Sequence, residues 1–167
     1  MNIKPKLPIF LSTVISVIVL DQWTKILTLQ KFRLGESLPI IQGFFDLTYV
    51  RNKGAAFGFL ADSPPIFRDN FFLLVPIVAL FVISIVILKL PDTQKWTLLA
   101  FSLVFSGAIG NLIDRARLGF VVDFLDFHYK EVYHWPAFNV ADSAIVVGVG
   151  ILFVLSFFKE NETQTIP

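Results

Sequence analysis

Four long apolar stretches, each about as long as a bilayer's hydrocarbon core is thick, constrain this chain more than any other feature. A helix needs roughly 20 mostly apolar residues to cross that core. Such segments fall at about 8–29, 70–89, 96–114 and 139–158. Asn70 through Leu88 and Trp96 through Ile113 carry no charge at all. Pro76 lies inside the second segment, which lipid-embedded helices tolerate better than soluble ones. The segments are apolar all round, without a polar stripe, as lipid exposure requires. The predicted fold is therefore a membrane all-α protein with four transmembrane helices, in a single domain over residues 1–167.

Composition agrees. Of 167 residues, 55% are hydrophobic and 16% charged; a soluble domain carries about 25% charged. Net charge is +1 with no basic run, which argues against nucleic acid. Cysteine is absent, which excludes disulfides, thiolate catalysis and cysteine metal sites. Lys4 and Lys6 precede an apolar run from Leu7 to Leu20, like a cleaved signal, but no small-residue cleavage site follows. The run reads as a retained first helix.

Residues 30–69 form the longest connection, punctuated by Pro39, Gly43, Gly54, Gly58 and Pro64-Pro65. Within it, Phe45-Asp46-Leu47-Thr48-Tyr49 alternates apolar and polar and reads as strand, and Asn52-Lys53-Gly54 as a turn. A small β-sheet element between helices 1 and 2, lying on the membrane surface, is expected. Residues 115–138 make a second long connection, Pro91-Asp92-Thr93 a tight turn, and Glu160 to Pro167 a frayed tail. An even helix count puts both termini on one side. That side carries Lys4, Lys6, Lys89, Lys95 and Lys159; the other carries Lys31, Arg33, Arg51, Lys53, Arg68, Arg115, Arg117 and Lys130. If the termini are cytoplasmic, this distribution runs against the positive-inside tendency.

A central charge in a membrane costs roughly 2.5–3.5 kcal/mol on insertion scales, so each polar residue at depth needs a reason. Asp21, Asn111, Asp114, Arg115, Asn139 and Asp142 come from three helices, yet all fall near the same membrane face. Asp142 opens the fourth helix three residues after Asn139. The pair reads either as a helix cap or as a cap that also fixes a catalytic carboxylate. Asp123 and Asp126 interrupt an apolar stretch, which reads as an amphipathic surface segment or, for Asp123, as a second catalytic acid. Two adjoining carboxylates share one proton and can hydrolyse a peptide by general acid–base chemistry, with no metal or cofactor. Asn111 and Arg115, four apart on one face, suit either interhelical bonding or a grip on extended substrate backbone. Gly107 and Gly110 let another backbone come close. Asp21 and Lys25 read as a helical ion pair, and Asp114 as structural.

Other chemistries are disfavoured. The segment 52–58 is glycine-rich but lacks the Lys-Ser/Thr ending of a phosphate loop. His128 and His134 read as loop histidines rather than metal ligands, and neither H-E-x-x-H nor G-x-S-x-G occurs. Trp23, Trp96 and Trp135 lie near helix ends, as an interfacial aromatic belt does.

Five blocks together resemble the lipoprotein signal peptidases (signal peptidase II). They are Asp21-Gln22-Trp23-Thr24-Lys25, Asn52-Lys53-Gly54-Ala55-Ala56-Phe57-Gly58, the run from Gly107 to Arg115, Val122-Asp123-Phe124, and Phe138-Asn139-Val140-Ala141-Asp142-Ser143. The resemblance implies a multi-pass aspartic endopeptidase of the bacterial inner membrane. It would cleave diacylglyceryl-modified prolipoproteins just before the lipidated Cys. Asp123 and Asp142 match the catalytic pair. Asn52, Gly54, Asn111, Arg115 and Asn139 match residues around it, and Asp21 and Lys25 match a further polar pair. The resemblance also implies cytoplasmic termini, periplasmic regions at about 30–69 and 115–138, membrane-lipid contacts and binding of globomycin-type inhibitors. Nothing in the sequence demands more than a monomer.

Overall fold

The computed structural model describes residues 6–54, 60, 63–130 and 132–163, the last five without their side chains. Lys4, the stretch from Ala55 to Gly58 and the end of the tail lie outside the described residues. Among the described residues, four helices carry the fold: α1 (Leu7–Lys31), α2 (Pro65–Lys89), α3 (Lys95–Leu118) and α4 (Val140–Thr163). Each is long and apolar enough to cross a membrane, α4 over Val140–Phe158. Four strands complete it: β1 (Ser37–Ile41), β2 (Phe45–Asn52), β3 (Val121–Tyr129) and β4 (Tyr133–His134).

The helices are inside-out relative to a soluble bundle. Outward positions such as Val19, Phe81 and Val146 are 61%, 67% and 70% exposed, whereas Asp21 and Asn139 are fully buried. Lipid is as apolar as leucine, so apolar side chains lose nothing by facing it, and polar ones must find each other inside. In α1 the buried residues are Asp21, Lys25 and Thr28, spaced so that they share one face.

α3 is the hub, packing against α1, α2 and α4. Its contact with α4 depends on glycine. A Cβ on Gly107 would run into the Ala141 carbonyl, and one on Gly148 would stand 2.7 Å from the Ala100 carbonyl oxygen. α2 packs on α3 alone among the described elements, which leaves a cleft between α2 and α4. At the far end, Lys6 donates to the carbonyls of Leu88 and Leu90 and pairs with Asp92 at 3.5 Å. This ties the start of α1 to the α2–α3 turn and satisfies carbonyls that the end of α2 leaves free.

The strands form one antiparallel sheet in the order β1-β2-β3-β4. The expected sheet element between α1 and α2 is present as β1 and β2. The second connection, expected as an amphipathic surface segment, instead contributes β3 and β4. Val121–Asp123 pair with Val50–Asn52 of β2, so Asp123 stands on a strand, and its neighbours Val121 and Val122 are buried. The alternation there is masked because the start of β3 is covered on both faces. Gly119 makes the turn into β3: its φ of 75° is a left-handed conformation that ends α3, and its N–H bonds the Arg115 carbonyl at 3.0 Å.

Candidate active site

α4 begins with a reciprocal cap. The Asp142 N–H donates to Asn139 Oδ1 at 3.0 Å, and the Asn139 N–H donates to Asp142 Oδ2 at 3.1 Å. The two bonds fix Asp142 in the first turn, where the helix dipole favours an anion. Paired N–H···O bonds between Phe138 and Leu125 hold Asn139 beside β3. There the Asn139 amide Nδ2 donates to Asp123 Oδ1 at 2.7 Å. One residue therefore bonds both carboxylates, Asp123 through its side chain and Asp142 through its backbone.

Each carboxylate has a second donor. Asn52 Nδ2 reaches Asp123 Oδ2 at 3.0 Å. An extra residue in β2 between Leu47 and Val50, opposite an unbroken β3, sets this register, and Asn52 then lies diagonal to Asp123. Asn111 Nδ2 reaches Asp142 Oδ1 at 2.7 Å. Burial and then the nearby Asp142 push the Asp123 carboxyl up to about 7, against the opposing pull of the bonds from Asn52 and Asn139 and of Lys25.

Behind the two acids lies a buried ionic cluster. Lys25 Nζ is 2.9 Å from Asp21 Oδ2, 3.0 Å from Asp114 Oδ2 and 2.9 Å from Asn111 Oδ1. An ammonium has three donors, and all three are used. Asp21 Oδ1 accepts the Ala141 N–H at 2.9 Å, and Asp114 Oδ2 accepts the Val122 N–H at 3.0 Å. The cluster thus anchors both backbone segments that carry the acids. Gln22, quoted in a motif block but given no role from the sequence, bonds Asp21, Asp114 and the Gly110 carbonyl. Its signal was its place one residue after Asp21, in a helix whose polar residues are few.

Arg115 donates to the Gly54 carbonyl at 3.1 Å and lies 5.2 Å from the Phe72 ring centroid, while its buried Nε has no hydrogen-bond partner among the described residues. Gly54 is held in turn, its N–H donating to Asn52 Oδ1 at 3.0 Å. Asn52, Gly54, Asn111, Arg115, Asn139, Asp21 and Lys25, the residues expected around the acids, thus form one hydrogen-bonded network with Asp123 and Asp142. Asp114 does the structural work expected of it. His128 and His134 stack at 4.9 Å and face Asp46 and Asp126 on the sheet.

The cleft between α2 and α4 is a groove of about 800 Å³. Pro76, Ala79 and Ile83 line it from α2, and Val104, Ala108 and Val146 from α3 and α4; Asn111, Arg115 and Asp142 stand at its polar end. From Phe72 to Ile83 the groove follows α2 for roughly 16 Å at the helical rise. Fold and site together define a multi-pass membrane protein with two bridged acids, Asp123 buried and Asp142 half-buried at the head of an apolar groove.

The family model described as signal peptidase (SPase) II matches residues 13–158. The lipoprotein signal peptidase of Geobacter sulfurreducens is 55% identical over 151 residues, covering 90% of this chain and 92% of the relative. That of Syntrophus aciditrophicus is 47% identical over 159 residues, covering 95% and 98%. A bacterial membrane enzyme solved at 2.3 Å superposes with a TM-score of 0.81 at 30% identity, covering 95% of this chain and 92% of that one. A second, solved at 1.9 Å, superposes at 0.77. The chain belongs to the signal peptidase II family and is a membrane peptidase that removes signal peptides.

Proposed function

We propose that this protein is an aspartic endopeptidase of the bacterial inner membrane, cutting diacylglyceryl-modified prolipoproteins just before the lipidated Cys with Asp123 and Asp142. The observation that carries this reading is the bonding of both carboxylates by Asn139, with Asp142 at the polar end of a groove between two membrane helices. The apolar part of a signal peptide fits such a groove, and acyl chains on the adjacent Cys can stay in lipid. Asn52, Asn111, Arg115 and Asn139 orient the acids and the extended peptide.

The chemistry is general acid–base hydrolysis. The ionised acid takes a proton from water as its oxygen attacks the scissile carbonyl carbon. The protonated acid gives its proton to the carbonyl oxygen, forming a gem-diol. On collapse, a diol hydroxyl returns a proton to the second acid. The C–N bond breaks as the first acid protonates the amine of the departing Cys. Residues 1–167 form one domain, with cytoplasmic termini, 30–69 and 115–138 periplasmic, and globomycin-type inhibitors occupying the groove. We read the enzyme as a monomer.

Cleavage of a lipidated prolipoprotein by purified enzyme in lipid is the test. Asp123→Asn and Asp142→Asn should each lower kcat by about 10³-fold or more, with unchanged thermal unfolding, and a chelator should leave the rate alone. Processing retained in either folded variant would remove the pair from the mechanism.

A further inference from the structure

The two acids have equal numbers of hydrogen-bond donors, yet the groups behind those donors differ. Asn111 Oδ1 receives Lys25 Nζ at 2.9 Å and Asn139 Nδ2 at 3.1 Å. Turning the Asn111 amide over would aim its NH2 at an ammonium and at a second NH2, and neither can accept. Its Nδ2 must therefore face Asp142 Oδ1, at 2.7 Å. The ammonium at one end of the amide also polarises the N–H at the other. Asp142 further sits on the N-terminus of α4. Lys25 also acts on Asp123, but only through space and as the least of the influences on it; neither donor to Asp123 is bonded to the ammonium. Asp123 stands on a strand, 1% exposed, and one of its two donors, Asn139 Nδ2, is also within reach of Asn111 Oδ1 and the Val122 carbonyl.

We infer that Lys25 is a positioning residue that breaks the symmetry of the pair: by fixing Asn111, it makes Asp142 the ionised base and leaves the shared proton on Asp123. The inference rests on the proposed role of the two acids and deepens it. Among the described residues, the charged groups around Asp142 are Lys25 and Asp21 from α1, Arg115 from α3 and Asp123 from β3, and Asp114 of α3 faces Lys25 and Arg115. Among them Lys25 alone couples to Asp142 through a shared side-chain amide.

The test is the pH profile of kcat/KM for purified enzyme on a lipidated prolipoprotein. Lys25→Met alone strands two buried carboxylates, so it is combined with Asp114→Asn, with Asp114→Asn as the control. The acid limb of the double variant should move at least one pH unit higher than that of the control, narrowing the active range from its acid side, with KM little changed. A loss equal at all pH values in a folded double variant overturns the inference while leaving the acids in place. Cleavage retained in Asp123→Asn or Asp142→Asn overturns the underlying reading instead. Infrared spectroscopy reads the proton without the lysine variant. Near pH 6 the protonated-carboxyl band should vanish in Asp123→Asn and persist in Asp142→Asn; the opposite pattern refutes the assignment.

Discussion

Asn139 is the residue on which the site's geometry turns. Its backbone and side chain are committed in three directions, to the α4 cap, to Asp123 and to Asn111. The cap was legible from Asn139 and Asp142 alone, because capping is local and its spacing is fixed. The link from Asn139 to Asp123 was not, because it joins a helix start to a strand across sixteen residues of chain. Residue-level chemistry also sets a pH dependence. Burial raises the Asp123 carboxyl to about 7, so its protonated form is lost as pH rises through that value. If this form is the proton donor, kcat/KM should fall on an alkaline limb near pH 7, and its pH profile checks it. A rate flat from pH 6 to 9 would contradict the assignment.

At the scale of elements, glycine decides how closely the helices approach. Gly110 faces Asp21, and an added Cβ would lie 2.6 Å from its Oδ2. Gly110→Ala and Gly148→Ala should each destabilise the protein by about 1–3 kcal/mol through overpacking, seen as a lower thermal midpoint in detergent. Gly150→Ala, where a Cβ meets open space, should be close to neutral. Equal midpoints for all three would mean that the contacts of α3 with α1 and α4 tolerate far more slack than the distances allow. The sequence marked the glycines of α3 as close-approach points, and the Asp21–Lys25 spacing marked an ion pair. It did not mark β3, since a strand covered on both faces loses the alternation that identifies strands.

For the molecule as a whole, α2 stands off from α4, and a groove runs between them. Ala108 lines it from α3. Ala108→Phe should fill the groove and lower kcat/KM at least about 10-fold while leaving thermal unfolding unchanged; unaltered cleavage in that variant would put the substrate elsewhere. The surplus of positive charge on the side of the long connections also has a structural account. Arg115 bonds Gly54, Arg51 lies over the Tyr49 and Phe120 rings, and Arg68 pairs with Asp69. These cations serve neighbours, so they weigh less as orientation signals than their number suggests.

The sequence by itself determined four spanning helices, the beginning of a sheet, and a set of polar residues at one end of the bundle. Those follow from hydropathy, helical spacing and capping, which act over a few residues. Only the tertiary structure decided that β3 completes the sheet, that Asn139 bonds both acids, and that Lys25 stands behind Asn111. Each of those depends on the approach of segments far apart in the chain. In an apolar medium, buried polar groups must pair with one another, and which partners they find is set by packing rather than by local pattern.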